Sequence, residues 1–122
     1  MNKVLAVDFD GVIHDYSKGW HDGSIYDDPV PGTRDALRRF KDAGWRILIH
    51  TVRAHDRRVW DRVRGCIILE KAQLTELGAW LKKHKIPYHE VWIEPGKPIA
   101  DVYLDDRARH FTTWARAINE LL

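Results

Sequence analysis

The 122-residue sequence lacks the features of secreted and membrane proteins. It has a single cysteine, Cys66, so no disulfide can form within the chain. No apolar run approaches the ~20 residues needed to span a bilayer, and no signal-peptide pattern precedes the first predicted strand. We therefore expect a cytoplasmic protein with no membrane partner. Cys66 is expected to be a buried structural thiol, because it begins the apolar run Cys66-Ile67-Ile68-Leu69.

The sequence also lacks a strong net charge and the common nucleotide and zinc motifs. Its formal net charge of +2 is too small to indicate nucleic-acid binding by itself. It contains neither a GxxxxGK[ST] phosphate-binding loop nor an HExxH metal pair. A P-loop kinase and an HExxH-type metalloenzyme are therefore without support.

What the chain does contain is an apolar strand that ends in two acids. Residues 4–7 are all apolar and lead into Asp8 and Asp10, as expected for a strand buried on both faces of a parallel sheet. Because side chains alternate along a strand, the two acids should lie on one side, with Phe9 facing away. Such acids lie where open α/β sheets bind ligands. For this motif alone, a solvated turn acid and a helix cap remain the alternative.

Further strands alternate with helices along the chain. Strands are predicted at residues 46–51, 90–93 and 100–104. Helices are predicted from Thr33 to about residue 44, between residue 56 and residues 84–87, and at the C terminus. The C-terminal helix is predicted to carry one apolar face, formed by Phe111, Trp114, Ala115, Ile118 and Leu121. This alternation indicates βαβ units with right-handed crossovers, and therefore an α/β fold with a parallel sheet.

Some aromatic residues and histidines are expected in the core, and others are candidates for a functional site. Trp80 and Trp114 lie on helical apolar stripes and are expected in the core. Trp20 and Trp60 have polar neighbours and are candidates for lining a site or an interface. His50 lies within an apolar strand and is expected to be packed in the core, whereas His14, close behind Asp10, is a candidate pocket residue.

Polar residues cluster at the carboxyl ends of the predicted strands, which converge at one edge of a parallel sheet. Together they suit phosphoryl transfer. Clustered carboxylates require a cation, and hard oxygen ligands select Mg²⁺. A carboxylate can attack phosphorus while a second acid moves protons, and a hydroxyl and an ammonium group can stabilise the phosphoryl oxygens. The residues are Asp8, Asp10, Thr51, Arg53, Lys97, Asp105 and Asp106.

The order of these residues resembles that of the haloacid dehalogenase-like (HAD) phosphohydrolase superfamily. The matching motifs are Asp8-Phe9-Asp10-Gly11-Val12, Ile47-Leu48-Ile49-His50-Thr51, Lys97 and Leu104-Asp105-Asp106. The resemblance covers nearly the whole chain. It implies a three-layer Rossmann-like fold whose central parallel sheet has the order 3-2-1-4 and is flanked by helices. It further implies one domain over residues 1–122, without a separate cap domain.

The resemblance also implies a role for each residue. Asp8 would be the nucleophile and a Mg²⁺ ligand, and Asp10 would bind the metal through its main-chain carbonyl and act as general acid and base through its side chain. Thr51 and Lys97 would bind the phosphoryl group. Asp105 would complete the metal site with Asp106 in support. The implied activity is a Mg²⁺-dependent phosphatase with an aspartyl-phosphate intermediate.

The substrate and the partners stay open at this stage. Without a cap, the site would admit a large phosphorylated substrate, or a neighbouring subunit of a homo-oligomer would have to close it. Arg53 is placed as in the Ser-Gly-Arg motif of polynucleotide-end phosphatases, which makes it a candidate substrate contact. A nucleotide or polynucleotide-end phosphatase is therefore one alternative to a small-molecule phosphatase. A catalytically silent HAD-like interaction module is the other.

Overall fold

The structure is a computed structural model and describes residues 3–106 and 113–121. The predicted helix residue Phe111 lies outside these residues. A single-turn 3₁₀ helix, Val52–Ala54, follows the second strand. The other elements of the described chain are β1 (Val4–Asp8), α1 (Thr33–Asp42), β2 (Arg46–His50), β3 (Arg57–Asp61), β4 (Cys66–Glu70), α2 (Leu74–Lys83), β5 (Glu90–Val91), β6 (Val102–Leu104) and α3 (Trp114–Leu121).

A parallel sheet of four strands forms the centre of the fold. Its strands lie in the order β5-β2-β1-β6. Val7 of β1 pairs with Ile49 of β2 on one side and with Leu104 of β6 on the other. This confirms the predicted α/β class and is consistent with the three-layer Rossmann-like fold. Because β1 is central, its carboxyl end is flanked by the ends of β2 and β6.

The core lies between one face of this sheet and two helices. Leu5 and Val7 of β1 and Ile47 of β2 pack with Leu37 of α1 and Leu77 of α2. Both crossovers, from β1 to β2 and from β2 to β5, step in the same direction along the sheet. Right-handed crossovers of this kind place both helices on the same face. The apolar runs of β1 and β2 are thus explained by burial.

Of the two tryptophans expected in the core, only Trp80 is buried there. It belongs to the core cluster, and its Nε1–H donates to the carbonyl of Asp27 at 3.0 Å. Trp114 of α3 is 75% exposed, so its predicted burial is wrong. A helical stripe of apolar residues indicates an amphipathic helix, but it does not specify how much of each side chain a neighbour covers.

Residues 57–70 form an antiparallel hairpin, and the prediction of a helix there is wrong. The two strands pair from Arg57 opposite Glu70 to Asp61 opposite Cys66. Gly65, with a φ of 66°, lies in the turn between them, and β-branched residues favour the extended strands on either side. Cys66 is exposed at the end of β4. Its predicted burial is wrong because the hairpin projects from the sheet instead of packing into the core.

The polar segment after β1 forms a loop, residues 15–28, which we call the flap. Its ends are joined because the N–H of Asp15 donates to the carbonyl of Asp28 at 3.0 Å. Beside this contact, the N–H of Val30 donates to the carbonyl of Ile13 at 2.8 Å. The flap is therefore anchored next to the carboxyl end of β1. None of the helices in the described ranges combines the length and hydropathy needed to cross a membrane.

Candidate active site

Three carboxylates meet at the carboxyl end of the central strand. Asp8 ends β1, and Asp105 and Asp106 directly follow β6. One oxygen from each residue lies within 4.8 Å of the others. Burial, together with repulsion from Asp105, Asp106 and Asp10, raises the pKa of Asp8 to about 6, although a hydrogen bond from the N–H of Phe9 opposes this rise. A divalent cation would relieve this repulsion, and oxygen donors suit Mg²⁺.

Gly11 makes the close approach of Asp106 to the first motif possible. Its φ is 86°, and a Cβ atom added there would overlap the Asp106 carboxylate. Any other residue would therefore meet two obstacles, an unfavourable backbone conformation and a steric clash. The glycine after the two acids permits the loop after β6 to lie against the first motif.

The Asp10 side chain lies apart from the three-carboxylate cluster and has two donors of its own. The Nδ1–H of His14 donates to Oδ1 at 2.9 Å, and the Nε–H of Arg53 contacts Oδ2 at 2.9 Å and Oδ1 at 3.2 Å. Burial alone would raise the pKa of Asp10, but the hydrogen bonds from His14 and Arg53 outweigh it and lower this pKa. Asp10 is therefore a carboxylate in this arrangement, which is the form of a general base.

His14 and Arg53 occupy positions different from those expected for pocket residues. His14 is fully buried beneath Asp10, and its ring stacks on Phe9 with 5.3 Å between centroids. Arg53 is also buried, and its guanidinium lies over the ring of Trp20 at 4.4 Å. Arg53 borders a separate pocket of about 230 Å³ and not the cleft described below. Its contacts are thus internal to the protein, unlike the predicted contact with substrate.

The remaining predicted site residues share one open cleft of about 620 Å³. Thr51 directly follows β2 and is largely buried, and its Oγ1 accepts a hydrogen bond from the N–H of Arg53 at 3.2 Å. Lys97 is exposed, and its ammonium group lies 5.7 Å from the ring centroid of Tyr103. The residues predicted from the motifs that line this cleft are Asp8, Asp10, Thr51, Lys97, Asp105 and Asp106.

The cleft also has an aromatic and basic rim that the motifs do not include. Tyr16 and Trp20 come from the flap, whereas Trp92 follows β5. His55 and Arg57 contribute cationic or polar groups from the segment after the 3₁₀ helix. Of these residues, only Trp20 carries a signal in the sequence, since a tryptophan among polar residues is a candidate for a site. The others depend on how the loops fold over the sheet.

His50 lines the same cleft and is only half-buried, so its predicted place in the core is wrong. It ends β2 opposite Asp8, where a side chain faces the cleft. Burial lowers the pKa of His50, an effect that Lys97 reinforces and Asp105 opposes. Its Nε2 is buried without a hydrogen-bond partner among the described residues. The neutral imidazole therefore borders the three carboxylates.

Comparisons with known proteins give evidence about the fold but not about the chemistry of the cleft. No protein-family model matches the chain, and no curated protein matches it. A solved structure of a conserved protein from Bacteroides thetaiotaomicron is similar, with a TM-score of 0.57 and 21% sequence identity. The match covers 98% of this chain and 92% of that one. At this identity the likeness shows a shared fold.

Proposed function

We propose that this protein is a Mg²⁺-dependent phosphomonoester hydrolase of the HAD-like type. The observation that carries the proposal is the convergence of the motif residues on one cleft. Asp8, Thr51 and Lys97 come from separate parts of the sequence, and each lies at or beyond a strand end on that cleft. The same cleft holds the acidic cluster with Asp105 and Asp106. The proposed nucleophile, phosphate-binding groups and cation ligands therefore share one cleft.

In the first half of the proposed reaction, a carboxylate oxygen of Asp8 attacks the phosphorus of the substrate. A bond forms between this oxygen and phosphorus, and the bond from phosphorus to the alcohol oxygen breaks with its electron pair going to the alcohol. Asp10 is a carboxylate in the free protein, so in the complex it takes a proton from the substrate's phosphate monoanion and passes it to the alcohol oxygen. The Thr51 hydroxyl and the Lys97 ammonium stabilise the charge on the phosphoryl oxygens.

In the second half, water attacks the phosphorus of the aspartyl-phosphate. Asp10 accepts the water proton, and inorganic phosphate leaves as the Asp8 carboxylate is restored. Asp8, Asp105 and the main-chain carbonyl of Asp10 would hold Mg²⁺, with Asp106 in support. When bound, the cation would neutralise part of the phosphoryl charge and relieve repulsion among the carboxylates.

The test is phosphate release from sugar phosphates, nucleotides and phosphate-ended oligonucleotides, with Mg²⁺ or with a chelator. We expect Mg²⁺-dependent turnover that Asp8→Asn abolishes, because an amide cannot form the acyl phosphate. Asp28→Asn makes the same chemical change at an exposed position outside the cleft and should keep full activity. Turnover that survives Asp8→Asn, or no turnover on any class of substrate, would contradict the proposal.

A second candidate is a phosphatase of nucleotides or nucleic-acid ends, which the aromatic rim of the cleft favours. Tyr16, Trp20 and Trp92 line the cleft, and stacking of a base on an aromatic ring such as that of Trp92 contributes about 1–3 kcal/mol. Arg57 adds a cation near the ring of Trp20, at 5.2 Å. Nearby residues of the same sequence stretch are also basic, namely Arg58, Arg62 and Arg64.

This candidate is tested by comparing kcat/KM for a nucleoside 5′-monophosphate and for ribose 5-phosphate. We expect the nucleotide to be preferred and Trp92→Leu to reduce the preference by about tenfold, since one stacking contact is lost. Ile93→Ala changes an exposed neighbour that does not line the cleft and should leave the preference unchanged. Equal kcat/KM values in the wild type would favour small sugar phosphates instead.

The proposal also covers the cellular location, the oligomeric state and the alternative of a silent interaction module. The cytoplasm is the proposed location, because a reducing compartment suits a chain with one exposed thiol. A neighbouring subunit of a homo-oligomer is the proposed cover for the cleft, and sedimentation at micromolar concentration tests it. A silent interaction module is disfavoured by the presence of both Asp8 and Asp10, and the turnover assay decides between these readings.

A further inference from the structure

The Asp10 carboxylate is fixed by donors from two directions. His14 donates from Nδ1, because its Nε2 already accepts a hydrogen bond from the N–H of Asp27 at 3.1 Å. This arrangement selects the tautomer with the proton on Nδ1. Arg53 donates its Nε–H to both carboxylate oxygens, at 2.9 and 3.2 Å. Rotation of the carboxylate would therefore break at least one of these contacts.

Arg53 is itself held by several contacts, so it can keep the Asp10 carboxylate in one position. Its Nη1 donates to the carbonyl of Gly23 in the flap and, at 2.8 Å, to Oε1 of Gln73 before α2. The ring of Trp20 covers the guanidinium plane, and Arg53 is only 2% exposed. The side chain thus connects the flap, the start of α2 and Asp10.

The two oxygens of Asp10 are not equivalent in this arrangement. A carboxylate has about four acceptor positions. Oδ1 receives hydrogen bonds from His14 and Arg53, whereas Oδ2 receives one, from Arg53, among the described residues. The Asp10 side chain borders the cleft and is 15% exposed. Oδ2 is therefore the oxygen with spare capacity to accept a proton.

We propose that Arg53 and His14 are positioning residues that hold Oδ2 of Asp10 for the hydrolysis of the aspartyl-phosphate. The inference rests on the proposed function. In this step the oxygen of water bonds to phosphorus, and the bond between phosphorus and Asp8 breaks with its electron pair returning to Asp8. The proton leaving water goes to Oδ2 of Asp10.

Folding stability alone does not account for an arginine at this position. The Nη2 group of Arg53 is buried without a hydrogen-bond partner among the described residues, and an unpaired buried donor lowers stability. Buried ion pairs are commonly no more stabilising than well-packed apolar side chains. A role for Arg53 in the chemistry of Asp10 would account for a cationic group at this buried position.

The test compares Arg53→Met with Arg39→Met on the phosphomonoester that the wild type hydrolyses fastest. Arg39 is exposed on α1 and does not line the cleft, which makes it a control for the loss of an arginine charge. For Arg53→Met we expect kcat to fall about tenfold or more and KM to fall in parallel. Acid-quenched enzyme should contain phosphorylated protein by intact mass, because intermediate formation continues while hydrolysis slows. Arg39→Met should not accumulate phosphorylated protein.

Other outcomes overturn the inference. An equal loss of kcat and kcat/KM without phosphorylated enzyme would place the effect of Arg53 on formation of the intermediate and not on its hydrolysis, and a higher KM at unchanged kcat would make it a substrate contact. If Arg53→Met does not fold by circular dichroism, Arg53→Lys keeps the charge but not the two-oxygen contact and should show the same pattern. No turnover by the wild type would remove the proposed function and this role together. If the wild type hydrolyses the substrate but Arg53→Lys accumulates no phosphorylated enzyme, the proposed role of Arg53 is refuted and the proposed function stands.

Discussion

Replacing Asp8 by asparagine should stabilise the metal-free protein at neutral pH. Burial and the neighbouring carboxylates raise the pKa of Asp8 from 3.8 to about 6 in the folded chain. The folded state therefore binds this proton more tightly than the unfolded chain, and stability is lost as pH rises through this window. The full rise corresponds to roughly 3 kcal/mol, which we reduce to about 1–2 kcal/mol because Asp8 is partly exposed to solvent.

Urea unfolding of wild type and Asp8→Asn, with a chelator present, measures this effect. At about pH 7 the variant should be more stable by about 1–2 kcal/mol, and near pH 4 the difference should vanish because Asp8 is then protonated in the folded state. The asparagine can still accept the hydrogen bond from the N–H of Phe9. Added Mg²⁺ should reverse the order, since a ligand at 100 times its Kd stabilises by about 2.7 kcal/mol.

The control for this prediction is Asp28→Asn, which alters an exposed carboxylate outside the cluster. Its effect should stay within about 0.5 kcal/mol at either pH. A variant Asp8→Asn that is less stable than wild type at neutral pH would refute the argument. So would a difference of the same size at both pH values, because the cost would then not come from ionisation.

Two further predictions concern packing. Gly11→Ala should destabilise by about 1–3 kcal/mol and weaken Mg²⁺ binding in calorimetry, because the new Cβ overlaps Asp106. Gly32 has a similar φ of 88°, but among the described residues no atom beyond its chain neighbours lies within 4 Å of the position of a new Cβ. Gly32→Ala should therefore leave Mg²⁺ binding unchanged, and equal effects of the two variants on binding would contradict the steric argument. Leu77→Ala should cost about 2–5 kcal/mol in urea unfolding, since Leu77 is fully buried. Leu69→Ala, on the exposed hairpin, should cost less than about 0.5 kcal/mol, and similar losses would contradict the assignment of the core.

The central strands were predictable because burial on both faces leaves a strong trace in a sequence. Residues 4–7 and 47–49 are continuous apolar runs, and each lies within a strand. The ends of the sheet were less predictable: β5 is limited to Glu90–Val91 and β6 to Val102–Leu104, each shorter than the predicted strand. Pairing with a neighbour, and not local composition, decides where an edge strand stops.

The hairpin and the cysteine show where local patterns are insufficient. Residues 57–70 combine charged residues with a short apolar run, and such runs do not distinguish a helix from a strand. In the structure Cys66 is exposed because β3 and β4 pair with each other and project from the sheet. An apolar neighbourhood in sequence thus does not establish burial.

By itself, the sequence determined the α/β class and which strand ends carry Asp8, Thr51 and Asp105, because alternating strands and helices impose a parallel sheet whose carboxyl ends lie together. Tertiary structure decided how each side chain is used. Arg53 contacts Asp10, which lies 43 residues earlier in the sequence, and Gly23, which lies 30 residues earlier. Such contacts depend on how the flap and α2 pack around β1, and no local pattern of residues encodes that geometry.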